Sequence, residues 1–160
     1  MSTENSTQYA NLVASPPRRN RPDEQHGRLR IAVFEHTQAA QGADGSLVNL
    51  CKIPAGRGRI LKKESWAMVS ALGSSRTMDI GHTGWTKSDG TSQAASADVL
   101  ADGVDVSSAT SAALGVGTNA DDSIWLKFDS KTDIVIQALI AGGTLDAAET
   151  FEGYITYVID

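Results

Sequence analysis

The chain has 160 residues, 41 % of them hydrophobic, and a net charge of −5, which suits one domain around a single buried core. The polar start MSTENSTQYA is unlike a secretory signal, and no run approaches the roughly 18 apolar residues of a membrane helix. One cysteine, Cys51, cannot form an intrachain disulfide, and His26, His36 and His82 are too scattered for a metal-binding spacing.

The charge is uneven. Residues 1–97 hold 12 Lys+Arg and 8 Asp+Glu, while residues 98–160 hold 2 and 11. A chain with a basic and an acidic half can meet copies of itself through complementary potentials, although both sets can equally just solvate a surface.

Residues 1–27 read as an extended, basic arm. Pro16, Pro17 and Pro22 fix φ and lack donors, and each pushes the residue before it into extended geometry. The arm is too polar to order alone. It carries Tyr9, Leu12 and Val13 as apolar anchors and Arg18, Arg19 and Arg21 as charges.

Residues 28–160 form the domain. RLRIAVFEH alternates, with Leu29, Ile31 and Val33 on one face and Arg28 and Arg30 on the other. SLVNLCKIP is a second strand, ended by Pro54–Ala55–Gly56, and Cys51 within it reads as a small buried hydrophobe. GRILKKESWAMVSAL sets Leu61, Lys63, Ser65, Ala67 and Val69 against Ile60, Lys62, Glu64, Trp66 and Met68. A strand is expected there over a helix. TMDIGH is a short strand broken by Gly81 and Gly84, and GWTKSDGTSQ is a loop. Asp98 to Asp102 reads as one helical turn within an irregular segment. SIWLKF sets Ile124, Leu126 and Phe128 against Trp125, and the apolar TDIVIQALIAG and the aromatic-rich FEGYITYVID close the chain as strands.

Seven or eight short strands between Gly, Asp, Ser and Pro turns, with no βαβ alternation, predict an all-β fold. The expected form is an antiparallel β-sandwich or jelly roll with an extended N-terminal arm.

Chemistry is harder to find. Asp79 and His82 fall on opposite faces of a strand. Asp98, Asp102 and Asp105, and the acidic Asn119–Ser123 stretch, lack the spacing of a calcium loop and read as turn formers. GRGR at 56–59 and RRNR at 18–21 are too few cations, without interleaved aromatics, to argue for nucleic acid. No catalytic pair, metal site or cofactor site is legible, so the expectation is a non-enzyme.

Three segments in order, RLRIAVFEH…GSLVNLCKIPAGRGRIL, DIGHTG…ADVLADGVDVSSA and KTDIVIQALIAGGTLDAAETFEGYITYVID, resemble the jelly-roll cement (head decoration) proteins of tailed phages. The resemblance covers about residues 28–160. It implies a virion structural protein on the capsid exterior, made in the host cytoplasm. It also implies binding to the major capsid protein at coat-subunit junctions as a homo-oligomer, a trimer rather than a dimer, with neither nucleic acid nor membrane as partner. The arm is then a tether, and Tyr9, Leu12, Val13, Arg18, Arg19, Arg21, Trp85 and Trp125 are the expected contacts. The alternative is a glycan-binding jelly roll of a tail fibre or spike, its site built from Trp85, Asp89 and the 98–105 loop.

Overall fold

The structure is a computed structural model that describes residues 10, 13–18, 27–115 and 123–159. Among the described residues eleven strands run in chain order: β1 (Arg28–Thr37), β2 (Leu47–Ile53), β3 (Gly56–Val69), β4 (Thr77–His82), β5 (Trp85–Thr86), β6 (Ser92–Gln93), β7 (Ser96–Asp105), β8 (Thr110–Ala113), β9 (Trp125–Ser130), β10 (Ile134–Ala141) and β11 (Thr150–Ile159).

The strands build two facing sheets and a small hairpin. One sheet has the order β1-β11-β3-β8, with β9 also pairing β3; the other has β2-β10-β4-β7; β5 and β6 form the hairpin. Every pairing between these strands is antiparallel. The first and third long strands lie in one sheet and the second and fourth in the other. The last strand, β11, inserts between β1 and β3, and β10 inserts between β2 and β4. This interleaving makes the sandwich a jelly roll, as the strand pattern predicts.

The core lies between the sheets. β10 alternates without exception: Ile134, Ile136, Ala138 and Ile140 are fully buried, and the residues between them are half-buried. Ile60 of β3, Leu100 of β7 and Ile155 of β11 close the core from the neighbouring strands. Burying an isoleucine side chain in this way stabilises the fold by about 1.5–3 kcal/mol.

Four local expectations are corrected. The segment read as a helical turn at Asp98–Asp102 is the middle of β7, because pairing with β4 overrides the four-residue spacing of its aspartates. The loop GWTKSDGTSQ contains the β5–β6 hairpin. Gly81 does not break β4. It lies inside the strand, where a Cβ would collide with the Ser96 carbonyl, so glycine lets β7 approach. In the arm, Ala10 and Val13 have helical backbone, not extended; both lie more than one residue before Pro16, outside the restriction that proline imposes.

β3 also changes phase. Two steps on β11, from Tyr154 to Thr156, span five on β3, from Trp66 to Leu61. The surplus residues form a bulge in which Ser65 Oγ donates to the Leu61 carbonyl at 2.7 Å and accepts from the Thr156 amide at 2.9 Å. Ile60 and Lys62 are therefore buried before the bulge, and Ser65, Ala67 and Val69 after it. A single alternation along the whole element does not hold.

One end of the sandwich is latched by charge. The Arg76 guanidinium lies 3.0 Å from Asp146 and 2.8 Å from Glu149, and Glu149 accepts from the Asp146 amide at 2.6 Å. Gln41 and Thr144 also donate to Asp146. The loops before β2, before β4 and before β11 are thereby held together.

Candidate assembly surface

An alternating strand ordinarily turns its apolar side chains to the core. β1 does the opposite. Arg28 and Arg30 lie directly across from Ile159 and Tyr157, whose side chains face inward, so the arginines share the inner face at the exposed end of an edge strand. Leu29, Ile31 and Val33 point outward, 63 %, 57 % and 69 % exposed. Charges on the inner face of an edge strand guard against uncontrolled edge pairing, while the hydrocarbon is left on the sheet's flat outer side.

The pairing registers extend this outer face across the sheet. Val33 stands beside Tyr154, Tyr154 beside Trp66, and Trp66 beside Ala113. Ile31 stands beside Thr156, then Leu61, then Trp125. Met68 and Glu152 continue below, and Glu152 is directly opposite Glu35. Trp66, Met68 and Tyr154 are all exposed. Between Val33, Trp66, Met68 and Tyr154 lies a shallow depression of about 250 Å³, edged by Glu35 and Glu152. Gly153 forms its floor: a Cβ there would collide with the Trp66 carbonyl. The Trp66 indole is fixed by donating to Ser111 Oγ at 2.7 Å.

The expected contact residues are divided by the structure. Tyr9, Leu12, Arg19 and Arg21 lie outside the described residues. Val13 and Arg18 are exposed. Trp125 is half-buried on the outer face just described, with the Arg59 guanidinium 5.0 Å from its ring centroid. Trp85 is a correction. Expected as a contact, it is only 6 % exposed and packs against His82 with ring centroids 4.5 Å apart. The short hairpin folds its ring back into the core. A buried indole offers no stacking face to a sugar, and the glycan alternative loses its central residue.

The remaining polar groups satisfy local structure. Asp79 accepts from the Gly103 amide, Asp98 from Ser96, Asp105 from the Ser107 amide, and Asp89 from Thr91. Arg57 pairs with Asp129 at 3.0 Å. Burial pushes the Cys51 thiol up to about 12, which keeps it protonated and unreactive. Burial likewise holds His82 below the ordinary histidine range. Among the described residues no group of three His, Cys, Asp or Glu side chains is placed to hold a metal ion. Among the described residues no helix is long and apolar enough to cross a membrane.

The residues that sequence reasoning did not single out are those of the outer sheet face: Leu29, Ile31, Val33, Met68 and Tyr154. The alternation of β1 separates its faces but does not say which one meets the core. The available signal was the pair of arginines: charge at inner positions forces the apolar residues outward.

No protein-family model matches the sequence, and no curated protein matches it. Solved structures do match in fold. The chain is similar to one in the cyanophage Pam1 capsid asymmetric unit, with a TM-score of 0.57 and 13 % identity over 92 % of this chain and 96 % of that one. It is also similar to one in the capsid of Ralstonia phage GP4, with a TM-score of 0.59 and 18 % identity over 84 % and 86 %. Both neighbours are matched over nearly their whole length, and the likeness is one of fold.

Proposed function

We propose that the chain is a structural, non-catalytic component of a phage head. In this reading it binds the outer surface of the capsid at coat-subunit junctions, as a homo-oligomer, and stabilises the shell. The observation that carries the reading is the outward apolar face of the β1-β11-β3 sheet. A large exposed apolar patch on a well-packed domain marks an assembly surface. The fold neighbours supply the kind of assembly, since each is a capsid chain of similar extent to this one.

The arm over residues 1–27 acts as the tether in this proposal. Its arginines meet carboxylates on the coat, and Tyr9, Leu12 and Val13 fill shallow pockets. Drawn out along the coat, fifteen residues of the arm reach roughly 50 Å. Several tethers on one oligomer raise occupancy through effective concentration without any single tight contact.

The test is co-sedimentation of the purified chain with phage heads lacking it, quantified by gel. Saturable binding to heads is expected, with deletion of residues 2–24 leaving the domain folded but lowering occupancy. Unchanged occupancy after the deletion removes the tether. No binding to heads, together with binding on a glycan array, overturns the head role in favour of the sugar-binding alternative.

A further inference from the structure

We infer that the outer face of the β1-β11-β3-β9 sheet is covered by the same face of a second copy of this chain, the two related by a two-fold axis running across the strands. The inference deepens the head-component reading by supplying the interface of its homo-oligomer. It replaces the trimer that the family resemblance implies with a two-fold pair.

Three observations select this occupant. The first is the distribution of charge along the face. Arg57, Arg59 and Lys127 stand at the end of this face where β1 begins, with Asp129 paired to Arg57 among them, while Glu35 and Glu152 sit at the other end and the apolar residues lie between. A two-fold axis across the strands reverses one copy end for end and sets each basic end against the partner's acidic end. An axis along the strands would set like against like. An isologous contact is self-complementary only in the first arrangement.

The second observation is the opposed pair Glu35 and Glu152. Like charges directly across an antiparallel pair destabilise it. The pair makes sense on a surface that receives cations, and the reversed second copy delivers them.

The third is size. Four strands about 4.8 Å apart and seven residues at about 3.3 Å outline roughly 440 Å² of sheet, and a corrugated face exposes more than its outline. Two such faces bury on the order of 1,000 Å², which reaches the threshold for a specific pair. Leu29, Ile31, Val33 and Tyr154 give this area an apolar centre, and the charged ends give it a polar rim.

The experiment is sedimentation velocity of the full chain across a concentration series, with circular dichroism of every variant to confirm the fold. The wild-type chain is expected at twice its 16.9 kDa mass. Val33→Glu, at the centre of the face, is expected to give folded monomer. Reversing the acidic end, Glu35→Lys with Glu152→Lys, and reversing the basic end, Arg57→Glu with Lys127→Glu, should each weaken association about tenfold or more; combining all four should restore it. A monomer at every concentration, a trimer mass, or a dimer indifferent to Val33→Glu overturns the inference. So does a quadruple reversal no tighter than either double one. Binding to heads is measured separately, so a monomer that still co-sediments with heads sinks the two-fold pair and leaves the head role standing.

Discussion

The two sheets of this sandwich share an inner face and differ in their outer ones. On the β2-β10-β4-β7 sheet, Gln137 donates to Asn49 across the β10–β2 pair at 2.7 Å, and Asp79 accepts from the Gly103 amide at 2.7 Å. Polar groups there are satisfied within the sheet. On the β1-β11-β3 sheet the corresponding positions hold Leu29, Ile31, Val33, Tyr154, Trp66 and Met68, all exposed. The first surface leaves one large apolar side chain, Leu47, in water beside the half-buried Leu139. The second leaves six such side chains in water, and apolar area left in water forfeits about 25 cal/mol per Å² that a partner would recover. An apolar strand residue therefore has two meanings here, core or interface, and only its position relative to the core separates them.

That distinction can be broken from the core side first. Ile136→Ala removes a fully buried side chain from the central strand β10. A loss of about 4 kcal/mol is expected, read by urea unfolding of the chain, because the cavity between the sheets cannot collapse. Gly153→Ala comes next, at about 2–3 kcal/mol by the same measurement. Its new methyl meets the Trp66 carbonyl and the Phe34 ring, and a backbone carbonyl in a sheet cannot move aside cheaply. Since Gly153 floors the depression on the outer face, any variant that survives should also associate more weakly.

Much of this division could be read from residues alone. The jelly roll followed from short alternating segments between turn residues, and β10 and β11 announced themselves through TDIVIQALIAG and FEGYITYVID. β7 did not, because Asp98 and Asp102 stand at a helical spacing and only the pairing with β4 makes them a strand. The phase change in β3 was hidden because a bulge depends on its partner strand. Trp85 misled because polar sequence neighbours say little about a residue that a tight hairpin folds inward. The outer face, the part that bears on function, was present in RLRIAVFEH as two clean faces, but alternation carries no label for inside and outside.

The latch at the end of the sandwich gives an effect of intermediate size and a pH dependence. Arg76→Gln leaves the largely buried Glu149 without its cation, and a loss of about 2 kcal/mol is expected in urea unfolding. Hydrogen bonds from Gln41, then Arg76 and Thr144, hold the Asp146 carboxyl below the ordinary carboxylate range. The fold therefore prefers the ionised form. Its contribution is complete above the pKa of the unfolded chain and is lost as pH falls through the folded value. His82, lowered by burial, acts in the same sense at higher pH: the unfolded chain takes up the proton first, so stability begins to fall as pH drops through the ordinary histidine range. Melting temperature should thus decline in two stages on acidification, the first absent in His82→Phe if the ring is tolerated and the second reduced in Arg76→Gln. A melting curve flat from neutral to strongly acid pH would contradict both assignments.

The smallest expected effect on stability is the most informative about the outer face. Ile31→Thr keeps the β-branched shape that suits a strand and changes a side chain that is 57 % exposed, so the unfolding free energy of the monomer should move by less than about 0.5 kcal/mol. Ile136→Thr, on the same kind of strand in the opposite sheet, should cost several times more. The outer residue must then show its value elsewhere. If Ile31 serves an interface, Ile31→Thr weakens association between copies severalfold while the monomer's urea midpoint holds still. If it serves only the domain, midpoint and association stay unchanged together, and the outward apolar face loses its claim to a partner.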